Sequence, residues 1–264
     1  MRAHLMQFDV AWEDRDENFR RVDELLDRTD IQSGDLVVLP ELFDGGFSLN
    51  TSLTADTTGL TASYLQRLAD DLDCTVQGAR TVFACGGQSS ACPLARNEAI
   101  VFEPGGACVA RYHKVHPFTF GREPEAFEGG NDLAIYAWKQ ADESLTVCPA
   151  ICYDLRFPEL FRLGLKKGAE VFAIGANWPS TRQSHWRSLL IARAIENQAY
   201  VLGVNRTGDD PHLNYVGGSI AIDPKGEILG ELRDEVAVLT VDIDPAELRD
   251  WREKFPAWRD LRLI

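Results

Sequence analysis

Short apolar runs and apolar residues at helical spacing take turns along this chain. Ala3 to Phe8 is apolar enough for a strand, and Glu13 to Thr29 follows with Phe19, Val22, Leu25 and Leu26 at helical spacing. Leu36-Val37-Val38-Leu39 predicts a buried strand stopped by Pro40. A second helix is expected over Thr61 to Leu72, where Leu65, Leu68 and Leu72 share a face, and Cys74 to Phe83 reads as a strand. In the middle of the chain, Glu98 to Phe102 and Cys108 to Tyr112 flank Pro104-Gly105-Gly106, a hairpin signature. Leu145 to Ala150 and Val171 to Gly175 predict further strands, and Pro158 to Lys167 a helix closed by Gly168. Arg182 to Gln198 predicts a longer helix ahead of the strand Tyr200 to Val204. Ser219 to Ile222 and Ile228 to Leu232 bracket Asp223-Pro224-Lys225-Gly226, a second hairpin. Strand pairs set between helices point to an α/β protein with a sheet-on-sheet core and helices outside; periodicity leaves the topology open.

With 264 residues and no repeat, low-complexity tract or Pro/Ser-rich linker, a single domain over 1–264 is expected. The 27 Lys and Arg against 41 Asp and Glu leave a net charge of −14, which argues against nucleic acid or an anionic membrane as partner, since both attract clustered cations. Asp9 and Glu13 interrupt the N-terminal run before a signal-peptide core can form, and no run approaches the roughly 18 apolar residues of a membrane span. A soluble, cytoplasmic protein is expected. Its six cysteines (Cys74, Cys85, Cys92, Cys108, Cys148 and Cys152) are too sparse for a disulfide scaffold, which leaves room for a chemical thiol.

Three stretches place a reactive group directly after a strand-like run. Leu36 to Glu41 ends on a carboxylate, where α/β folds concentrate binding groups, although a solvated loop acid reads the same way. Arg111 to Phe118 sets Lys114 between two histidines in a chain where only six of 27 basic residues are Lys; a surface lysine is the plain alternative. Leu145 to Glu159 delivers Cys152 to a turn that becomes a helix, the geometry that exposes a nucleophile and offers backbone N–H groups to an oxyanion, while most free cysteines are inert and buried. A thiol, a proton acceptor and a cation together make a hydrolytic site, but spacing alone does not bring them together. None of the five histidines, His4, His113, His116, His185 and His212, lies in a Cys/His protease signature. A metal reading of His113-x-x-His116 or Cys148-x-x-x-Cys152 lacks the second half of a four-ligand pattern.

Together the three stretches resemble the carbon-nitrogen hydrolase (nitrilase) superfamily. The matching residues are Pro40-Glu41, Tyr112-His113-Lys114-Val115-His116 and Cys152-Tyr153-Asp154, joined by Asn177-Trp178-Pro179, Arg193 to Gln198 and Asn205-Arg206-Thr207-Gly208. The resemblance implies a four-layer α-β-β-α sandwich that dimerises through helices into eight layers, with no metal or organic cofactor. It implies that Cys152 attacks an amide carbon, that Glu41 moves the proton, and that Lys114 and the Tyr153 N–H hold the oxyanion. It also implies a second glutamate in the loop after Lys114. Counting back from Gly130 favours Glu123, with Glu125 and Glu128 close by. Arg193 and Glu196 read as a buried structural pair or an interface pair.

Tyr153-Asp154 stands where true nitrilases carry Trp-Glu after the cysteine, which favours an amidase. Cys152 to Leu160, Asn177-Trp178-Pro179 and the tail Glu253 to Trp258 look most like ω-amidases acting on 2-oxoglutaramate or 2-oxosuccinamate. Deaminated-glutathione amidases and N-carbamoyl amino acid amidohydrolases share the same core motifs. Such small anions need a cation, for which Arg156 is the candidate, with Phe43, Phe118 and Trp178 as pocket walls. Ala84 to Cys92 looks like a loop particular to this chain. A non-catalytic scaffold of the same fold and a redox role for Cys148 and Cys152 are the readings from other classes.

Overall fold

Alternate residues of a strand face opposite sides of its sheet, and here both sides are covered. Leu36 and Val38 enter one core while Val37 enters another, and Val171 and Ala173 part from Phe172 and Ile174 in the same way. The computed structural model describes residues 1–83 and 94–263, so the Ala84 to Cys92 loop, with Cys85 and Cys92, lies outside the described residues.

In chain order the strands are β1 (Arg2–Gln7), β2 (Leu36–Val38), β3 (Thr75–Phe83), β4 (Ala95–Phe102), β5 (Cys108–His113), β6 (Tyr136–Gln140), β7 (Glu143–Ile151), β8 (Val171–Ala176), β9 (Tyr200–Asn205), β10 (Thr207–Asp209), β11 (Asn214–Val216), β12 (Ile220–Ile222), β13 (Ile228–Glu231) and β14 (Ala237–Asp242). The helices are α1 (Arg15–Leu26), α2 (Thr51–Thr54), α3 (Leu60–Asp71), α4 (Pro158–Lys166), α5 (Gln183–Asn197) and α6 (Pro245–Lys254). Among the described residues the strands form two six-stranded sheets, ordered β14-β1-β2-β3-β4-β5 and β13-β12-β9-β8-β7-β6, and the hairpin β10-β11. Each sheet is built on a parallel triplet, β1-β2-β3 in one and β7-β8-β9 in the other, with antiparallel strands at both flanks.

Leu5, Val38, Trp138, Val147, Leu202 and Val241 fill the space between the sheets. Val22 of α1 and Leu65 and Leu68 of α3 cover the outer face of the first sheet, and Phe161 of α4 with Trp186 and Leu190 of α5 cover that of the second. The result is the four-layer α-β-β-α sandwich implied by the resemblance. Local signals set the helix ends: the Asp14 side chain accepts from the Glu17 N–H at the start of α1, and Gly168, at φ +96°, follows α4. Six elements are additional to the sequence reading: the one-turn α2 and the hairpin strands β10 and β11, together with β6, β14 and α6. β6 alternates buried Tyr136 and Trp138 with exposed Ala137 and Lys139; β14 pairs with β1 across the length of the chain; and α6 buries little besides Leu248, resting on an Asp244 cap and Pro245. Among the described residues no helix is long and apolar enough to cross a membrane.

The sheets come into close contact where Gly175 of β8 meets the chain leaving β2. A Cβ on Gly175 would lie 2.7 Å from the Leu39 carbonyl oxygen and 3.0 Å from the Glu41 nitrogen. Gly175→Ala is therefore expected to lose about 1–3 kcal/mol of stability by overpacking and, by moving Glu41, on the order of 100-fold in turnover. Denaturant melts and steady-state rates check it; a variant as stable and active as the parent would contradict this close approach.

Candidate active site

The ends of four strands meet at one edge of the sandwich. The run from β2 through Pro40 carries Glu41, β5 ends just before Lys114, β7 just before Cys152, and β8 just before Asn177. Cys152 takes φ +45°, a left-handed conformation that costs a non-glycine residue energy, and it opens a short 3-10 turn, Cys152–Arg156, that leads into α4. This is the strand-to-helix elbow expected of a displayed nucleophile. Tyr153 is the second residue of that turn, so its N–H has no intrahelical acceptor.

Glu41 is fully buried, and its carboxylate takes hydrogen bonds from both sheets. Oε1 accepts from Lys114 Nζ at 2.8 Å and Asn97 Nδ2 at 2.8 Å, and Oε2 accepts from the Asn177 backbone N–H at 2.9 Å. Lys114 Nζ also donates to both oxygens of buried Glu123, at 3.0 and 2.8 Å. Burial by itself would lower the Lys114 pKa, but the charges of Glu123 and Glu41 outweigh it and hold it above its ordinary value. Glu123 is raised as well, which for a carboxylate disfavours the charged form: burial, and the neighbouring charge of Glu41, raise it against the pull of Lys114. Burial and the Glu41 charge likewise push the Cys152 thiol well above its ordinary value, against an opposing effect of Lys114. The sulfur therefore rests as a thiol next to its proton acceptor, and Lys114 is already engaged by two carboxylates.

Asp154 ties the nucleophile turn to the lysine loop. It accepts from the Ile151 N–H at 3.0 Å and the Tyr112 hydroxyl at 2.7 Å on one oxygen, and from the His116 N–H at 3.0 Å on the other, which also meets His116 Nδ1 at 2.8 Å. Beyond the cluster a cavity of about 550 Å³ opens, with Glu41, Lys114, Cys152 and Asn177 at its floor and Trp12, Phe47, Phe118, Phe120, Arg182 and Tyr215 among its walls.

A carbon-nitrogen hydrolase family model matches residues 2–253. The chain belongs to the carbon-nitrogen hydrolase family. It is 34% identical to the omega-amidase YafV of Escherichia coli (strain K12) over 98% of this chain and 96% of that one. It is 32% identical to a 2-oxoglutaramate amidase of Bacillus subtilis (strain 168) over 97% of this chain and 96% of the relative. A crystal structure of a CN-hydrolase superfamily protein from Xanthomonas campestris, with an arsenic adduct in its active site, superposes with a TM-score of 0.90 at 33% identity, covering 100% of this chain and 98% of that one.

Within this carbon-nitrogen hydrolase the three loop glutamates part company. Glu123 meets Lys114, while Glu125 pairs with exposed Arg122 and Glu128 with Arg96. The pocket walls expected from sequence need correction. Phe118 lines the cavity, but Phe43 is wholly buried beneath α1 and α3, tilted against Phe19 and Tyr64, because its side chain joins the core behind the Glu41 turn. Trp178 also lies behind the wall, packed on Trp186 with its Nε1–H on the Arg182 carbonyl oxygen at 2.8 Å. Arg156 does not line the cavity: its guanidinium covers the Trp178 ring at 4.8 Å and faces His185. Arg193 donates to Glu196 and to the Leu155 carbonyl oxygen, bracing the nucleophile turn. Asn97 went unnoticed in the sequence because it sits mid-strand in β4, and Asn177 was visible only as part of a motif, without its role on Glu41.

The candidate metal ligands do not converge. His113 turns to Glu98 and His116 to Asp154, and among the described residues no group of three or more His, Cys, Asp or Glu could hold a metal ion. Cys148 and Cys152 are both free thiols; Cys148 is fully buried under Gly164, its thiol pushed up to about 12 by burial.

Removing one partner from a buried ion cluster strands the others. Lys114→Met should cost about 3–5 kcal/mol of stability, and adding Glu123→Gln, which neutralises one stranded carboxylate, should restore part of it. Chemical denaturation checks both; a single variant within about 1 kcal/mol of wild type would contradict the ion cluster.

Proposed function

We propose that the protein is an ω-amidase that hydrolyses a small 2-oxo dicarboxylic acid monoamide, 2-oxoglutaramate or 2-oxosuccinamate, through a Cys152 thioester. The observation that carries this reading is the Glu41 carboxylate, held by Lys114, Asn97 and Asn177 beside a protonated Cys152 in the lining of the cavity. The names borne by the relatives from Escherichia coli and Bacillus subtilis support the choice of substrate.

The chemistry follows from the protonation states. Sγ of Cys152 bonds to the amide carbon as its proton passes to Glu41, and the carbonyl π electrons move onto oxygen. Lys114 Nζ and the Tyr153 N–H stabilise that oxyanion. When it collapses, the carbon–nitrogen bond breaks, Glu41 returns the proton to nitrogen and ammonia leaves. Water then gives a proton to Glu41 and attacks the thioester; collapse releases the free acid and returns the thiol. Glu123 holds Lys114 in place and lends the cluster its second negative charge, so Lys114 stays protonated throughout.

A homodimer through α4 and α5 is supported by Leu163 and Ile195, apolar residues left 43% and 52% exposed on those helices. A reducing cytoplasm suits a reaction carried by a free thiol.

Ammonia release from 2-oxoglutaramate, succinamate, deaminated glutathione and N-carbamoyl amino acids, by wild type and by Cys152→Ala, tests the proposal. Turnover fastest on 2-oxoglutaramate and lost in the variant is expected. Fastest turnover on deaminated glutathione or an N-carbamoyl amino acid would replace the substrate and keep the mechanism, and activity surviving in Cys152→Ala would refute the mechanism.

A further inference from the structure

The charged side chains that line the active-site cavity are nearly all satisfied from within the protein. Lys114 is held by two glutamates and Arg122 by Glu125. Glu13 accepts from Ser48 Oγ, and Asp210 accepts from the Tyr215 hydroxyl and the N–H groups of His212 and Leu213. Among the described lining residues that carry a formal charge, Arg182 alone has a guanidinium with neither a hydrogen bond nor an ion pair.

Its placement is nonetheless fixed. The guanidinium carbon lies 5.3 Å from the centre of the Phe118 ring and 5.9 Å from that of Phe120, so the cation rests on aromatic rings while its N–H groups have no acceptor among the described residues. From behind, Trp178 Nε1 donates to the Arg182 carbonyl oxygen at 2.8 Å. The Phe118 N–H donates to Glu123, so the rings that hold Arg182 belong to the loop that also positions Lys114. Phe120 is 84% exposed, an unusual position for a phenylalanine that this contact explains.

We propose that Arg182, held by Phe118 and Phe120, binds the anionic end of the acyl group and so selects amides that carry a carboxylate away from the scissile bond. The proposal rests on the amidase reading above and assigns to Arg182 the anchoring role that the sequence suggested for Arg156. A planar guanidinium with two parallel N–H donors matches a carboxylate in a way that lysine cannot.

The test compares kcat/KM for succinamate with that for 4-methylpentanamide, in which an isopropyl group replaces the carboxylate, in wild type, Arg182→Gln and Arg182→Lys. Wild type is expected to prefer succinamate. In Arg182→Gln the ratio of the two values should fall about 10- to 100-fold, the range for losing a charge-assisted hydrogen-bonded pair, mainly through KM for succinamate. Arg182→Lys should fall in between. An undiminished ratio in Arg182→Gln, with both amides still hydrolysed, would overturn the role of Arg182 and leave the amidase reading standing. Failure of wild type to release ammonia from either amide would overturn both, and Arg182→Gln checked by circular dichroism separates loss of selection from loss of fold.

Discussion

A carboxylate buried at the meeting point of two sheets is the constraint around which the site is organised. Taking an ionised group out of water costs several kcal/mol unless donors replace the lost hydration. Glu41 receives them from β4 through Asn97, from the end of β5 through Lys114, and from the end of β8 through Asn177. The two sheets therefore cannot slide past one another without stranding the charge. Gly175 lets the backbones come close enough for Asn177 to reach Glu41, and Asn177 Nδ2 completes the link on the Glu41 carbonyl oxygen at 2.7 Å. The apolar core between the sheets supplies the stability, and this polar seam fixes their register at the site.

The same economy of charge governs the sulfur. Papain-like sites activate cysteine by pairing it with a cation that makes it a thiolate. Here the available cation is already held by two carboxylates, and burial together with the Glu41 charge keeps the proton on Cys152. Attack then moves a proton over a short path inside a prearranged site, and no net charge is created away from the oxyanion pocket. Asp154 keeps that pocket in shape by holding the nucleophile turn and the lysine loop with one carboxylate, while burial and Asp154 itself keep the Tyr112 hydroxyl protonated as a donor.

Much of this was legible in the sequence. The runs at β2 and β8, and β7 from Val147 to Ile151, are apolar and buried at every position because each is covered on both faces, and their ends carry Glu41, Asn177 and Cys152. The sandwich itself came from resemblance, since periodicity does not say which strands pair: β14 joins β1 from the far end of the chain. Glu123 could be ranked above Glu125 and Glu128 by counting, but only the fold shows that the latter two turn to arginines. The pocket walls were least legible. Phe43, Trp178 and Arg156 sit beside motif residues in sequence, yet side chains next to one another in a turn point in different directions, and here they pack behind the site. Arg182 lies in no strand-end motif, and that it has no hydrogen-bond or ion-pair partner for its guanidinium among the described residues is visible only in the fold.

The ionisation of Cys152 in the free enzyme tests the account most directly. Thiolate absorbance near 240 nm, followed against pH in wild type and in Cys152→Ala, isolates this one group. The expected difference spectrum is flat through neutral pH and rises only above the ordinary thiol range, since the folded protein disfavours the charged form. A Cys152-dependent thiolate signal already present at neutral pH would mean that Lys114 pairs with the sulfur instead of with Glu41 and Glu123, and the role given to Glu41 as proton acceptor would fall.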